Sequence, residues 1–307
     1  EPESTEVRVT KQPSSTVYPN VPNLSDRKPK GQGPAEIHVS EDKDSCSIAQ
    51  EIVQGSSGVR VGLVCFTAHG EPPSGQTPDL GEPREASLYL RTTYLQALQD
   101  MPRQLHADVG DVLAAGSVVL TQDVCILRGP VQDGARWLPD PVRVDVLTAA
   151  IQRHPRCDVQ GQYARIAEKA DVAKTVDHIF ACAAANDVEV LIFPPLGVNG
   201  AAGCHHPAAD AGDLLRKAIL EHGQHVPRVW VCQEFPGQLK SSWATFASAV
   251  RSGREPLEHR ELVPLTASPY LRPGWGEPCL SAKGQFSFKV PLRYRGRQRA
   301  VPPLGKP

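Results

Sequence analysis

A loop rich in proline, glycine and serine carries three carboxylates within a short stretch. Residues 72–93 read PPSGQTPDLGEPREASLYLRTT; they follow the apolar run of residues 59–69 (VRVGLVCFTAH) and lead into a segment with helical spacing. Glycine lets a backbone approach a ligand closely, and the first turn of a helix offers N–H groups to an anion. Asp79, Glu82 and Glu85 add acidic side chains to this loop. The loop is therefore a candidate ligand site.

A second loop has glycines at every third position. It lies between the apolar segment VEVLIF and a helical pattern, where successive backbone N–H groups could hold a diphosphate. The spacing is neither the GxGxxG of a dinucleotide-binding fold nor a Walker motif, and an ordinary strand-to-helix turn is the alternative. Arg84, Arg91 and Arg128 could pair with phosphate, or could be solvated surface residues. The candidate ligand-binding residues of the loop are Gly197, Val198, Asn199, Gly200, Ala201, Ala202 and Gly203.

The run Cys204-His205-His206 contains side chains that bind metals, but it stands alone. A zinc site needs a second Cys/His cluster at a suitable spacing, and the sequence has none. We expect a turn that leads into a helix at this point, and neither a metal nor a cofactor. Asp210 and Asp213 fit the first turn of that helix, where the helix dipole favours negative charge; a catalytic pair is the alternative.

The composition excludes several classes of protein. The chain has 307 residues, a formal net charge of −1 and 40% hydrophobic residues. Such a balance does not suggest a general nucleic-acid binder or a membrane-surface protein. No apolar run approaches the roughly 20 residues of a membrane-spanning helix. The eight cysteines are scattered without a CxxC pair, which favours a reducing, intracellular compartment such as the cytoplasm or nucleus.

Strand-like and helical patterns alternate along the middle of the chain. Residues 1–40 have few large apolar residues and are expected to be mostly disordered, 41–252 to form the domain, and 253–307 to be an irregular tail. The segments 116–120 and 124–127 fit a hairpin or one broken strand. The other expected strands are 59–66, 143–149, 188–193 and 228–232, and the expected helices are 45–54, 86–99, 162–186, 208–222 and 245–250. This alternation predicts an α/β fold with ligands at the carboxyl ends of strands.

The order of these segments resembles the microbial-type poly(ADP-ribose) glycohydrolases, a branch of the macrodomain superfamily, over roughly residues 44–250. In that family a strand leads into a Pro-Gly-Gly-Gly run, and Gln-Glu-Glu follows after a short spacer. Here FTAH is followed by Pro72, then Pro73-Ser74-Gly75, eight further residues and Arg84-Glu85-Ala86. LIFPPLGVNGAAGCHHP is similar to the family's later Gly-Cys-Gly-x-Phe-Gly-Asn-x-Pro signature.

The resemblance implies a macrodomain-like three-layer α/β/α sandwich with a mixed central sheet. It also implies ADP-ribose, or a protein that carries it, as the ligand. On this basis residues 197–203 would hold the diphosphate. Residues 75–85, which include Gly75 and Arg84, would face the distal ribose.

Departures from the family pattern bear on catalysis. In the family the first glutamate positions the ribose, and the second protonates the leaving oxygen as the glycosidic bond breaks. Here Glu85 takes the first place and Ala86 the second, while Pro73 and Ser74 replace glycines. Since alanine has no proton to give, we expect an ADP-ribose-binding protein with impaired catalysis. The alternatives are an active hydrolase that uses Glu85 as its acid, or Glu82 in a shifted register, and a scaffold that has lost the ligand.

Overall fold

The computed structural model describes residues 11–25, 27–31, 33–68, 88–100, 116–152, 154–198, 205–233 and 240–252, and the pairs 279–280 and 286–287. The chain divides into two compact units, Glu1–Glu255 and Pro256–Pro307. In the second unit, β8 (Cys279–Leu280) pairs antiparallel with β9 (Phe286–Ser287). No helix among the described residues is long and apolar enough to cross a membrane.

The first unit is built on a seven-stranded sheet of order β1-β4-β5-β3-β6-β7-β2. Its strands are β1 (Ser14–Tyr18), β2 (Glu36–Ser40), β3 (Val61–Ala68), β4 (Val118–Arg128), β5 (Trp137–Ile151), β6 (Val190–Phe193) and β7 (Arg228–Cys232). β4 is antiparallel to both β1 and β5, and the remaining neighbours are parallel. The predicted α/β fold with a mixed sheet is confirmed.

Helices cover both faces of this sheet. They are α1 (Ser45–Gly55), α2 (Tyr94–Asp100), α3 (Ile166–Ala185), α4 (Ala208–His222) and α5 (Lys240–Ser252). Because strand side chains alternate between faces, Val64 and Phe66 of β3 pack in a core with α3, α4 and α5, whereas Leu63 and Cys65 pack in a second core with α1 and α2. The layers are therefore those of an α/β/α sandwich.

The expectation of disorder before residue 41 is wrong for two segments. β1 pairs with β4 from Ser14↔Gln122 to Tyr18↔Val118, and β2 pairs with β7 from Glu36↔Arg228 to Ser40↔Cys232. Composition alone gave little apolar surface for a core, but an edge strand gains backbone hydrogen bonds from a neighbour that is far away in sequence. The composition of a short segment does not reveal such long-range pairing.

The two segments at 116–120 and 124–127 belong to one interrupted strand. β4 runs through both, and its register against β5 shifts between Thr121 and Val124. Asp123 lies in this bulge with a φ of 60°. A left-handed residue of this kind is tolerated best by glycine, asparagine and aspartate. The extra residue explains why the apolar pattern changes phase there.

Several helix boundaries follow local signals. Asp44 caps α1 by accepting a hydrogen bond from the Ser47 N–H at 2.8 Å. α4 and β7 have the predicted bounds. α4 and α5 approach closely at Gly212, where a Cβ would lie only 2.6 Å from that of Ala249. α3 begins at Ile166, later than the predicted residue 162, because Tyr163 is held in the preceding loop by a bridge to Cys157 and by a hydrogen bond from its N–H to Asp210.

The helix predicted over residues 86–99 is interrupted. Residues 88–91 are helical, and α2 then begins at Tyr94. The Thr92 hydroxyl donates to the Leu88 carbonyl at 2.7 Å and accepts from the Tyr94 N–H at 3.0 Å. A side chain that bonds to nearby backbone groups in this way competes with the helix. Residues 86 and 87 lie outside the described residues.

Arg91 is fully buried, against the expectation of either a phosphate-pairing or a solvated side chain. Its Nη1 donates to both carboxylate oxygens of Asp44, at 2.6 and 2.5 Å, and its Nε donates to the Arg128 carbonyl at 3.1 Å. The Ser47 hydroxyl lies 3.3 Å from each terminal nitrogen. Arg91 therefore joins the segment that follows the first loop to the start of α1.

We predict that the free energy of unfolding depends on Arg91 and Asp44 together, so that losing both costs less than losing Arg91 alone. Arg91→Met should lower the free energy of unfolding by about 3–5 kcal/mol, because it leaves the Asp44 carboxylate buried without its cation. The double variant Asp44→Asn/Arg91→Met should recover most of that loss, since asparagine still caps α1 and carries no charge. Urea unfolding of both variants measures the difference. A double variant no more stable than the single one would contradict the prediction.

We also predict a contribution of His178 to acid sensitivity. Its Nδ1 donates to the Gly116 carbonyl, and burial lowers the pKa of His178 from its ordinary value, against the opposing effect of that bond. The unfolded chain then binds a proton that the folded chain does not, so the free energy of unfolding should fall as the pH drops below about 6.5. His178→Asn retains a donor but cannot titrate. Urea unfolding at about pH 7.5 and about pH 5.5 should show a smaller loss in the variant than in the wild type. Equal losses would refute the assignment.

Candidate functional site

The two glycine-bearing loops leave neighbouring strand ends. β3 pairs in parallel with β6, from Val61↔Val190 to Leu63↔Ile192, and with β5 as far as Ala68↔Ile151. Parallel strands end at the same edge of a sheet. The loops that follow Ala68 and Phe193 therefore begin side by side at what we call the carboxyl edge.

Many of the predicted site residues lie outside the described residues. The structure describes Gly197 and Val198 from the second loop. The predicted residues that fall outside it are Gly75, Arg84, Glu85, Asn199, Gly200, Ala201, Ala202 and Gly203, together with Ala86. Their candidate roles stay predictions.

The start of the second loop is a tight turn. Gly197 adopts a φ of 60°, which glycine reaches without strain, and the Val198 N–H donates to the Pro195 carbonyl at 3.2 Å. The Val198 side chain is 1% exposed and packs in the core with α3, α4 and α5. Val198 therefore has a structural role here that the sequence did not predict.

The base of the loop is closed by a backbone hydrogen bond. The His206 N–H donates to the Gly197 carbonyl at 3.2 Å, so the stretch between these residues leaves and returns at one point. This contact lies at the carboxyl edge, directly after β6 and before α4.

The His206 side chain holds this base to the neighbouring loop. Its Nε2 lies 2.8 Å from the Gln152 carbonyl, and its Nδ1 lies 2.8 Å from the Tyr163 hydroxyl. Because a carbonyl only accepts, Nε2 carries the proton and Nδ1 accepts from the Tyr163 hydroxyl. Burial, with a smaller contribution from Asp210, raises the pKa of Tyr163 and keeps its hydroxyl protonated. Both ring nitrogens of His206 are thus engaged.

Asp210 lies in the first turn of α4, as predicted, but its carboxylate has a specific structural use. It is 1% exposed; one oxygen accepts from the Tyr163 N–H at 2.9 Å and the other from Lys169 Nζ at 3.1 Å. These contacts tie the loop before α3 to the start of α4. A buried carboxylate with these partners is a positioning group, which speaks against the alternative of a catalytic Asp210–Asp213 pair.

His205 and His206, the two described residues of the Cys204–His206 run, both make contacts within the protein. His205 stacks on His154 with ring centroids 5.3 Å apart, and both His206 nitrogens make the contacts given above. No group of three or more His, Cys, Asp or Glu side chains within the described part of the chain could hold a metal ion.

The arginines considered for phosphate binding differ in their surroundings. The Arg128 guanidinium lies over the Trp137 ring, 4.2 Å from its centroid, and Arg91 is engaged with Asp44. These contacts do not bring Arg91 or Arg128 to the second loop. Sequence reasoning missed Tyr163 and Gln152, since no motif spacing links the loop after β5 to residue 206.

No protein-family model matches this sequence, and no curated protein matches it. Solved structures do resemble it. Poly(ADP-ribose) glycohydrolase from Deinococcus radiodurans in complex with ADP-ribose has 15% identity and a TM-score of 0.57, over 78% of this chain and 94% of that chain. The enzyme from Thermomonospora curvata has 17% identity and a TM-score of 0.54, over 76% of this chain and 84% of that chain.

A further structure of the Thermomonospora curvata enzyme, bound to the inhibitor ADP-HPD, has 16% identity and a TM-score of 0.50, over 69% of this chain and 78% of that chain. At these identities the likeness establishes the architecture. The resemblance read from the sequence is confirmed at this level: the chain has the macrodomain-like α/β/α fold of the microbial poly(ADP-ribose) glycohydrolases.

Proposed function

We propose that this chain binds ADP-ribose, free or attached to a protein, at the carboxyl edge of its sheet. The observation that carries the proposal is the parallel pairing of β3 with β6, which brings the starts of both glycine-bearing loops together. Ligands of open α/β sheets bind at the carboxyl ends of strands. Structures of the same fold are described in complex with ADP-ribose and with ADP-HPD.

In this proposal, residues 197–203 hold the diphosphate. The Val198 N–H is used within the turn, so the donors come from residues 199–203 and from the start of α4. α4 begins after Pro207 without a side-chain cap, and its positive dipole end favours an anion. The base of this loop is held by hydrogen bonds among His206, Tyr163 and Asp210. Such support favours a binding site that is formed before the ligand arrives.

We infer that hydrolysis is impaired. By the register of the family motif, Ala86 occupies the place of the glutamate that protonates the leaving oxygen, and Glu85 occupies the place of the ribose-positioning residue. General acid catalysis typically contributes about 10²–10⁴-fold, so its loss leaves binding without efficient turnover. An active hydrolase with Glu85 as the acid is the competing proposal, supported by the presence of that carboxylate.

An intracellular location agrees with the cysteines. Cys125, Cys157 and Cys182 are free thiols, and Cys157 is exposed. Free thiols are typical of reducing compartments. We propose the cytoplasm or the nucleus as the site of action, where ADP-ribosylated proteins would be the partners.

Asn199→Asp tests the diphosphate loop by adding charge at almost constant shape. We expect ADP-ribose to bind about tenfold more weakly to the variant, because a carboxylate near a diphosphate is repelled. Isothermal titration calorimetry with ADP-ribose measures the change. The matched control is Asn23→Asp, an exposed position whose side chain accepts from the Ser25 N–H, a contact that aspartate keeps.

Wild-type protein that gives neither heat nor a thermal shift with ADP-ribose would instead support the scaffold alternative. Equal weakening in Asn199→Asp and Asn23→Asp would show that net charge, not the loop, controls affinity.

Ala86→Glu tests the missing acid. Hydrolysis of poly(ADP-ribose) by the variant should exceed that by the wild type by at least about 10²-fold, because a proton donor is restored at the leaving oxygen. Release of ADP-ribose over time measures the rate, and Ala86→Gln is the control of matching shape that cannot act as an acid.

A wild-type chain that already hydrolyses poly(ADP-ribose) rapidly, and loses this activity in Glu85→Gln, would overturn the proposed impairment in favour of Glu85 as the acid. An Ala86→Glu variant that binds ADP-ribose without any gain in rate would show that the motif register is wrong.

A further inference from the structure

A cavity lies at the edge of the sheet opposite the carboxyl edge. It has a volume of about 530 Å³, and its lining includes Lys11, Gly58, Arg60, Asp123, Arg143 and Asp145; we call it the amino-edge pocket. It lies near the start of β3, which then runs eight residues to the carboxyl edge. At about 3.3 Å per residue the two edges are more than 20 Å apart. The pocket is therefore separate from the proposed ADP-ribose site.

Positive charge reaches this pocket from three separate segments. Lys11 precedes β1, Arg60 precedes β3, and Arg143 lies within β5. Two carboxylates, Asp123 and Asp145, also line the pocket. The convergence of three cations from distant parts of the chain on one pocket favours an anionic ligand.

Asp145 fixes Arg60 in place. The Asp145 carboxylate is nearly buried; it accepts from Arg60 Nε at 2.6 Å and from the Asp123 N–H at 3.3 Å. Among the described residues, the two terminal nitrogens of Arg60 make no hydrogen bond, and its side chain is 37% exposed. A guanidinium held by one nitrogen with the other two open to solvent is ready for bidentate contact with an oxyanion.

The second carboxylate is set by the bulge in β4. Asp123 has a φ of 60°, pairs with Lys11, and lies 3.6 Å from an Arg143 terminal nitrogen. Bulges of this kind redirect a side chain locally and are frequent beside functional sites. Lys11 and Arg143 are both substantially exposed. Exposed ion pairs contribute little to stability, so a ligand can replace them at small cost.

We propose that the amino-edge pocket binds a small polar molecule that carries one oxyanion next to hydroxyl groups. The oxyanion contacts the Arg60 terminal nitrogens and the flanking Lys11 and Arg143 charges, and the hydroxyl groups donate to the Asp123 carboxylate. The cavity volume lies within the range of ordinary small-molecule sites. Nothing in this assignment depends on ADP-ribose binding at the other edge.

The test uses ribose 5-phosphate as the probe and the arginine side-chain N–H resonances of the full chain as the readout. We expect saturable shifts of the Arg60 and Arg143 Nε–H signals. Inorganic phosphate should produce smaller shifts and ribose almost none, since the probe combines both groups. Gluconate, which carries a carboxylate beside hydroxyls, distinguishes a phosphate-specific pocket from one that accepts either oxyanion; saturable binding of either molecule supports the proposal.

Variants locate the binding. Arg143→Gln should weaken ribose 5-phosphate binding about fivefold through the loss of one nearby charge, and it keeps the Arg60–Asp145 pair. Arg251→Gln, at a comparably exposed arginine near the end of α5, is the matched control and should leave the affinity unchanged. Absence of saturable shifts at Arg60, or equal affinity in Arg143→Gln and the wild type, would overturn the proposal.

Discussion

The parallel insertion of β3 between β5 and β6 is the constraint on which the other features depend. It aligns the carboxyl ends of three strands, so the first and second loops begin at one edge. The contact is tight: at Gly62 a Cβ would lie 2.8 Å from Leu147 Cδ1 and 3.1 Å from Leu191 Cδ2. A side chain at this position would displace the ends of the Leu147 and Leu191 side chains, so glycine allows the present packing. Both cores then form on the alternating residues of the same strand.

Buried polar contacts add specificity to that apolar frame. Arg91 and Asp44 secure the segment after the first loop, while His206, Tyr163 and Asp210 secure the second loop. A buried polar group costs free energy unless its hydrogen bonds are made, so each set is stable only in this arrangement. The apolar cores determine the layers, and these polar contacts determine where the loops start and return.

Local patterns in the sequence predicted the regular elements well. The patterns that predicted α4 and β7 act within a few residues, and the structure gives both elements the predicted bounds. The strands β1 and β2 were missed because their stability comes from β4 and β7, whose paired residues are at least 100 positions away along the chain. The pairing of His206 with Tyr163 was missed for the same reason, since only the folded sheet brings those loops together.

The mixed sheet and the likeness to known structures agree on the architecture. The proposed chemistry depends on residues 69–87 and 199–204, which lie outside the described residues. A crystal structure of the chain with ADP-ribose tests the central claim most directly. The account predicts diphosphate oxygens within hydrogen-bond distance of backbone N–H groups of residues 199–203, above the Gly197–His206 contact. A diphosphate bound anywhere else, or a carboxyl edge left empty at saturating ligand, would contradict it.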